Sequence, residues 1–372
     1  MDLIWLQVIL FALGVFTLIQ LVYILGFFSR LAGYKSKAVP QPILPVSVII
    51  VAKNEVENLR NYLPLFFNQN HPEFEIVVVN NVSWDGTEEL LKEFALQYPN
   101  LHIVTIKEQE RYPKGKKFAI TLGIKAAKYD TLLLTDADCM PTGSDWITQM
   151  QQAYGQKTEV VLGYGAYKKT GGLLNYLIRY ETFYTALQYL SFALAGKPYM
   201  GVGRNLSYKK NTFFRVKGFA SHNHIISGDD DLFVNEVATA SNTEISIRPS
   251  AFTISNPKTK WGDWFKQKRR HMYTGKHYKT GTKALLTVLN ISHILFYASA
   301  IVLLSFWFMP MWVGIAYGVR LLAIIPVYYM AMDKLKENNL IWGIILLDIF
   351  YFVYYLLVGI RTLFSKQKQW VW

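Results

Sequence analysis

Apolar positions along the chain fall into three regimes. From residue 3 to 28, Leu3-Ile-Trp-Leu through Gly26-Phe-Phe, the chain is nearly unbroken hydrocarbon, with Gln7, Thr17 and Gln20 as the polar interruptions. A run of about 26 residues rising about 1.5 Å each is long enough to cross a bilayer core of about 30 Å. From Pro45 to about Thr280 the pattern breaks into short β-branched runs alternating with amphipathic stretches. Three further apolar stretches follow, at 285–308, 311–331 and 340–364, with Met309-Pro310 as a tight connection between the first two.

Within the middle regime, Val46 to Ala52, Glu75 to Asn80, Leu101 to Ile106 and Thr131 to Thr135 read as strands. Asp85-Gly-Thr-Glu88 has the spacing of a capping box and opens a helix through about Gln97, with Leu90, Leu91, Phe94 and Ala95 on one face. Another helix is expected from near Lys116, and a third with Ser144 as N-cap ahead of Trp146. Strands and helices alternating at this spacing predict an α/β domain, a mainly parallel sheet with helices on both faces, which binds ligands at the carboxyl ends of its strands. Leu173 to Leu194 is apolar and aromatic but carries Asn175, Arg179, Glu181 and Gln188. It reads either as an amphipathic helix on the membrane or an acceptor groove, or as a core helix. The predicted domains are an N-terminal transmembrane anchor (1–29), a Pro-rich linker (30–44), an α/β catalytic domain (45–282) and a C-terminal transmembrane region (283–372).

Composition strengthens the membrane reading: 52% of residues are hydrophobic and 17% charged. The formal charge of +13 sits beside the apolar segments, which points to an anionic membrane surface and away from nucleic acid. Arg30, Lys35 and Lys37 follow the first apolar run, so the positive-inside rule places the catalytic domain in the cytoplasm of an integral membrane protein, at the plasma (inner) membrane. The start Met1-Asp2 and the long apolar run fit a retained anchor better than a cleaved signal. Four simple spans would put the basic Ser365-Lys366-Gln-Lys368 outside, so one stretch is expected to be interfacial or re-entrant, or the spans number three. Arg320, in the middle of one stretch, should face a protein interior or wet cavity, or else snorkel. The single Cys139 rules out an intramolecular disulfide.

Candidate chemistry sits on three motifs. Asp136-Ala-Asp138 ends a buried strand, and such paired carboxylates suit Mg²⁺ or Mn²⁺ shared with a diphosphate. Gly228-Asp229-Asp230-Asp231 sets three like charges side by side, which should raise the proton affinity of at least one and make it a candidate general base. Acids at a helix N-terminus are the structural alternative. Basic residues crowd Lys258 to Lys279 among Trp261, Trp264, Phe265 and Tyr273, as a pyrophosphate clamp, a lipid-facing polybasic segment, or both.

Taken in order, these motifs resemble the family-2 glycosyltransferases of the GT-A fold, the group of cellulose synthase, hyaluronan synthase and ceramide glucosyltransferase, over about residues 45 to 275. The resemblance implies a nucleotide-sugar donor, expected to be UDP-linked, held by Ala52, Asn54 and Glu55 after the first strand, by Asn81, Asp85 and Lys116, by Asp136 and Asp138 with the metal, and by Gln267 and Arg270. Tyr112 to Ala119 is similar to the family's Gly-Lys segment, and Gln267-Lys-Arg-Arg270-His271 to its Gln-X-X-Arg-Trp motif. Gly203, Arg204, Asn205 and His271 would face the acceptor, and Asp230 would be the base, with Asp229 and Asp231 as alternatives. Two departures stand out: Asn80-Asn81 replaces the family's acidic pair, and His271 its tryptophan. The implied reaction is inverting hexosyl transfer to a lipid or glycan acceptor at the membrane. The rivals are a processive polysaccharide synthase and a silent scaffold of an envelope-assembly complex.

Overall fold

In the computed structural model, residues 3–36, 43–107 and 115–363 are described. Pro40 and Pro42 of the linker, Tyr112 to Lys114 of the Gly-Lys segment and the basic Ser365 to Lys368 lie outside them. The first helix, α1 (Leu3–Leu21), continues through a π-helical stretch, Val22–Phe28, into a last turn, α2 (Ser29–Ala32). The helix therefore passes the first basic residue: the Arg30 guanidinium turns back to the Gly26 carbonyl at 3.0 Å. Tyr23, Ile24, Phe28 and Leu31 are buried in the protein core, so its final turns are packed rather than lipid-facing.

The α/β domain runs β1 (Val46–Ala52), α3 (Val56–Phe67), β2 (Phe74–Asn81), α4 (Thr87–Gln97), β3 (Leu101–Ile106), α5 (Lys116–Ala126), β4 (Thr131–Asp136), β5 (Cys139–Pro141), α6 (Trp146–Gln151), β6 (Val160–Gly163) and β7 (Gly165–Tyr167). It continues with α7 (Leu173–Leu194), β8 (Leu206–Lys209), α8 (Lys210–Arg215), α9 (Asp231–Val237), β9 (Thr243–Ser246) and β10 (Thr253–Ser255). Seven strands pair in the order β3-β2-β1-β4-β8-β6-β9, parallel except for β8, which runs against both β4 and β6. A small second sheet, β5-β10-β7, flanks it.

Alternation along β1 explains the two layers. Val46, Val48, Ile50 and Ala52 join Leu59, Leu63 and Phe66 of α3 and Trp146 of α6 on one face. Ile49 packs on the other with Ile120 and Ile124 of α5, in the core that also contains α7. Burial on both faces is what a β-branched central strand requires. The predicted strands match to within a residue at their ends, whereas the short strands β5 to β10 carry no periodic signal that would predict them.

Two local expectations are corrected and one open alternative is decided. Asp85 does not cap α4: Gly86 is its N-cap, and Asp85 instead accepts the Val56 N–H at the start of α3 (3.1 Å) and the Thr87 N–H and hydroxyl. The N-cap of α6 is Asp145 rather than Ser144, whose hydroxyl is taken by Asn70. Helix α7 is buried almost all round, which makes it a core helix with one side on a cavity and not a surface helix.

After β10, helix α10 (Trp261–Gly275) leads to α11 (Thr280–Ser305), α12 (Pro310–Lys334) and α13 (Ile344–Leu363). Among the described residues three helices are long and apolar enough to cross a membrane: Leu3–Ala32, Thr280–Ser305 and Pro310–Lys334. Arg320 is buried between helices, where Asp348 of α13 takes both guanidinium arms, one at 2.9 Å, and the ring of Phe296 lies beneath. The protein-interior reading of that residue holds.

Candidate active site

The chain goes outward from β1 through β2 to β3, then returns to place β4 on the other side of β1. The crevice at the carboxyl ends of β1 and β4 is therefore the switch point at which such sheets bind ligands. A cavity of about 830 Å³ opens there. Val51, Lys53, Asn54 and Glu55 after β1, Asn81 after β2, Lys116 at the start of α5, and Asp136 and Asp138 after β4 form this end of it.

The turn after β1 is built by the loop that follows β2. Asn54 takes a left-handed conformation (φ 56°), its N–H donates to Ser83 Oγ at 2.9 Å, and its Oδ1 accepts from the Trp84 N–H at 3.0 Å. The Glu55 N–H donates to Thr87 Oγ1, and Asp85 holds the next residue. Asp85 is thus a positioning residue, and Ala52 is buried beneath it. Neither is among the residues that line the cavity. Glu55 does reach the cavity; burial, and then the charges of Asp138 and Asp136, raise its carboxyl above the usual range against the hydrogen bond from Asn58.

Asp136, Asp138 and Cys139 present ligand atoms within 4.8 Å of one another. Lys116 Nζ bridges Asp136 Oδ1 at 2.6 Å and Asp229 Oδ2 at 3.3 Å. Burial alone would raise Asp136, but the charge and hydrogen bond of Lys116 outweigh it and hold that carboxyl low. Asp138 goes the other way, raised by burial and then by the charge of Asp136. A carboxylate penalised by its neighbour's charge is what a divalent cation relieves, and the oxygen donors are hard, so the pair fits Mg²⁺ or Mn²⁺. Cys139 does not add a thiolate: burial and the two acids keep its proton on.

The opposite wall comes from the loop around the acid triplet, α7, α10 and α11. Backbone geometry splits the triplet into three roles. Gly228 has φ +92°, which turns the chain so that Asp229 faces Lys116. Asp230 faces Gly203, whose N–H donates to its Oδ2 at 2.7 Å, and its Oδ1 takes the Asp231 N–H. Asp231 is engaged by Thr274 Oγ1 and by the Tyr278 hydroxyl at 2.8 Å, which ties α9 to α10 and leaves it a positioning residue. Burial, then the charges of Asp229 and Asp231, push Asp230 up to about 7, and it is the partly exposed member of the three. Lys117, to which no motif assigns a role, donates to the carbonyls of His222 (2.7 Å) and Ile225 (2.9 Å) and so pins the loop that carries the triplet.

Gly203, Arg204, Gln267, Arg270 and His271 all line the cavity. The Arg204 guanidinium lies 4.3 Å over the Tyr167 ring and donates to Ser255 Oγ at 3.0 Å. Gln267 Nε2 reaches the Tyr167 hydroxyl at 3.5 Å. Burial, and then the charges of Lys268 and Arg270, keep His271 neutral. Asn205 is corrected: it is fully buried, its amide bonded to Trp146 Nε1 and to the carbonyls of Tyr164 and Ala251, so it organises the sheet junction and not an acceptor. Gly163 is required there, because a Cβ would stand 2.5 Å from the Asn205 side chain. Tyr167, Ser255 and the Glu181–Lys268 ion pair also belong to the cavity wall. Glu181 and Lys268 stand out by charge in the sequence, but no signal there places them together.

Residues 47–222 match the family described as Glycosyl transferase family 2. Among curated proteins, Glycosyltransferase AglE of Haloferax volcanii is 38% identical over 98 residues, 26% of this chain and 31% of that protein. A probable glycosyltransferase of Bacillus subtilis, YdaM, is 27% identical over 60% of this chain and 54% of its own length. The chain thus spans about a third to a half of these relatives. The solved structure of a mannosyltransferase from Pyrobaculum calidifontis, in complex with GDP-Man and Mn²⁺, superposes over 97% of this chain and 100% of that one, with a TM-score of 0.62 and 18% identity. The sheet order, the switch-point crevice and the matched region together show that the chain carries a glycosyl transferase family 2 domain on the GT-A fold.

Proposed function

We propose that the chain is an inverting glycosyltransferase that moves a sugar from a nucleoside-diphosphate donor to a hydroxyl of a membrane lipid. One observation carries this reading. The cavity that begins at Asp136 and Asp138 continues without a break to Leu286, Thr287 and Asn290 of the apolar helix α11 and to Tyr354 of α13. A donor bound at the strand ends and an acceptor arriving from the bilayer would meet at Asp230.

In this reading Asp136 and Asp138 hold a divalent cation, which when bound neutralises charge on the diphosphate. Asp230 accepts the proton of the acceptor hydroxyl as its oxygen bonds to the anomeric carbon; the bond from that carbon to the diphosphate breaks and its electron pair leaves with the nucleoside diphosphate. Arg270 faces the same space and stabilises the departing charge. Lys116 joins the donor-side and base-side acids, and Asp231 fixes the register of the base through Thr274 and Tyr278. The helices Leu3–Ala32, Thr280–Ser305 and Pro310–Lys334 anchor the domain, with Arg30, Lys35 and Lys37 favouring its cytoplasmic placement.

Single transfer is favoured over extrusion of a polymer by the filling between the anchoring helices. Leu13, Phe296, Tyr297 and Leu303 pack together there, next to the Arg320–Asp348 pair. The test is to incubate the full chain with UDP-glucose, UDP-N-acetylglucosamine or GDP-mannose, with Mn²⁺ or Mg²⁺ and a host lipid extract, and to identify products by mass spectrometry. GDP-mannose and Mn²⁺ are included because the Pyrobaculum protein binds them. A lipid bearing one added sugar, lost on chelation, is expected; a long glycan or the absence of metal-dependent turnover would contradict the reading.

A further inference from the structure

Charge is unevenly distributed along the cavity. At the strand ends Asp136 and Asp229 share Lys116, Arg204 and Arg270 line the same space, and Glu181 is matched by Lys268. Lys276 and Lys283 line the cavity where α10 passes into α11, with Lys276 between Thr274 and Tyr278, the two residues that hold Asp231. Lys283, Leu286, Thr287 and Asn290 recur at three- and four-residue spacing, so they form one stripe on α11, and all line the cavity. Polar side chains on a helix apolar enough to cross a membrane are costly against hydrocarbon, and they are retained where a polar ligand or cavity meets them. Lys283 and Thr287 are exposed, so the cavity opens along this stripe of a helix that is apolar enough to cross a membrane.

Resting on the lipid-acceptor reading, we infer that the acceptor is an anionic lipid whose esterified phosphate is held by Lys276 and Lys283 at the cavity mouth, while the glycosylated group is an uncharged hydroxyl farther along the headgroup. The reacting group is not itself a phosphate. Of the three acids Asp230 is the one open to the cavity, and its carboxylate would repel a phosphate anion brought against it. A hydroxyl must surrender a proton on attack, and the Asp230 carboxylate stands there to take it. Two lipid classes present an esterified anionic phosphate ahead of a free hydroxyl: glycerophospholipids with a polyol headgroup, through a phosphodiester, and prenyl-diphosphate-linked sugars, through a diphosphate diester.

The full chain reconstituted in phosphatidylcholine vesicles separates them. The vesicles are doped in turn with phosphatidylglycerol, a prenyl-diphosphate-linked monosaccharide or diacylglycerol, and the labelled donor that proves active is added. Label should enter one of the two phosphate-bearing lipids and not diacylglycerol. Lys276→Gln with Lys283→Gln should raise the acceptor KM about tenfold, with the loss absent from the donor KM, and arginine at both positions should restore it. Equal labelling of diacylglycerol, or an unchanged acceptor KM in the double glutamine variant, would overturn the inference. Donor hydrolysis with no labelled lipid in any vesicle would overturn the lipid-acceptor reading itself, and this inference with it.

Discussion

Three consecutive aspartates have three different jobs because each side chain leaves the backbone toward a different partner. Asp229 meets an ammonium, Asp231 two hydroxyls, and Asp230 a backbone N–H and the open cavity. Charge repulsion in the triplet is legible from residue types, but which member remains available depends on Thr274 and Tyr278, more than forty positions away. On the proposed function Asp230 acts as base in its charged form, and its proton affinity is raised to about 7 by burial and then by the charges of Asp229 and Asp231. With Asp230 as base, kcat/KM for transfer rises about tenfold per pH unit below about pH 7 and levels above it. A profile flat across that range would contradict the assignment, and initial rates in overlapping buffers would show it.

At the scale of elements, long strands and helices are legible because burial on both faces leaves continuous β-branched runs such as Val46 to Ala52. The short strands β5, β7 and β10 have three residues each, too few to carry a period, and their pairing is set by tertiary contacts such as Ser255 opposite Cys139. For the same reason the sequence does not place Tyr167 and Ser255 at the cavity. Asn205 fails in the other direction: a polar residue beside a functional-looking Gly-Arg pair suggests a ligand contact, but Trp146 and two carbonyls claim its amide. The turn into α9 gives a test at this scale. Gly228 has φ +92°, and a Cβ there would stand 2.4 Å from Leu232 Cδ1. Gly228→Ala should cost about 1–3 kcal/mol of stability and lower kcat more than donor affinity, because the strain displaces the acids that follow. Thermal melts paired with donor titration would check it; unchanged kcat would rule out the role of this turn in placing the acids.

Across the whole molecule, the membrane-spanning candidates and the α/β domain share one core. Tyr23 and Phe28 of the N-terminal helix, Tyr184 and Phe192 of α7 and Tyr328 of α12 pack on each other's rings. The Arg320–Asp348 pair ties α12 to α13, with the Tyr297 hydroxyl of α11 and Gln20 of α1 at the same charges. Removing one partner leaves a buried charge uncompensated, so Arg320→Leu should destabilise by about 3–5 kcal/mol, and Arg320→Leu with Asp348→Leu by less. Unfolding of both variants in detergent would show the order, and a double variant worse than the single would refute it. On the proposed function, this shared core brings a base to a donor site from the membrane side. Asp230→Asn in the full chain, with sugar transfer and donor binding measured on the same preparation, decides whether it does. Transfer should fall by about 10²–10⁴ while donor affinity stays within about twofold; transfer within about tenfold of the unaltered protein would show that Asp230 is not the base.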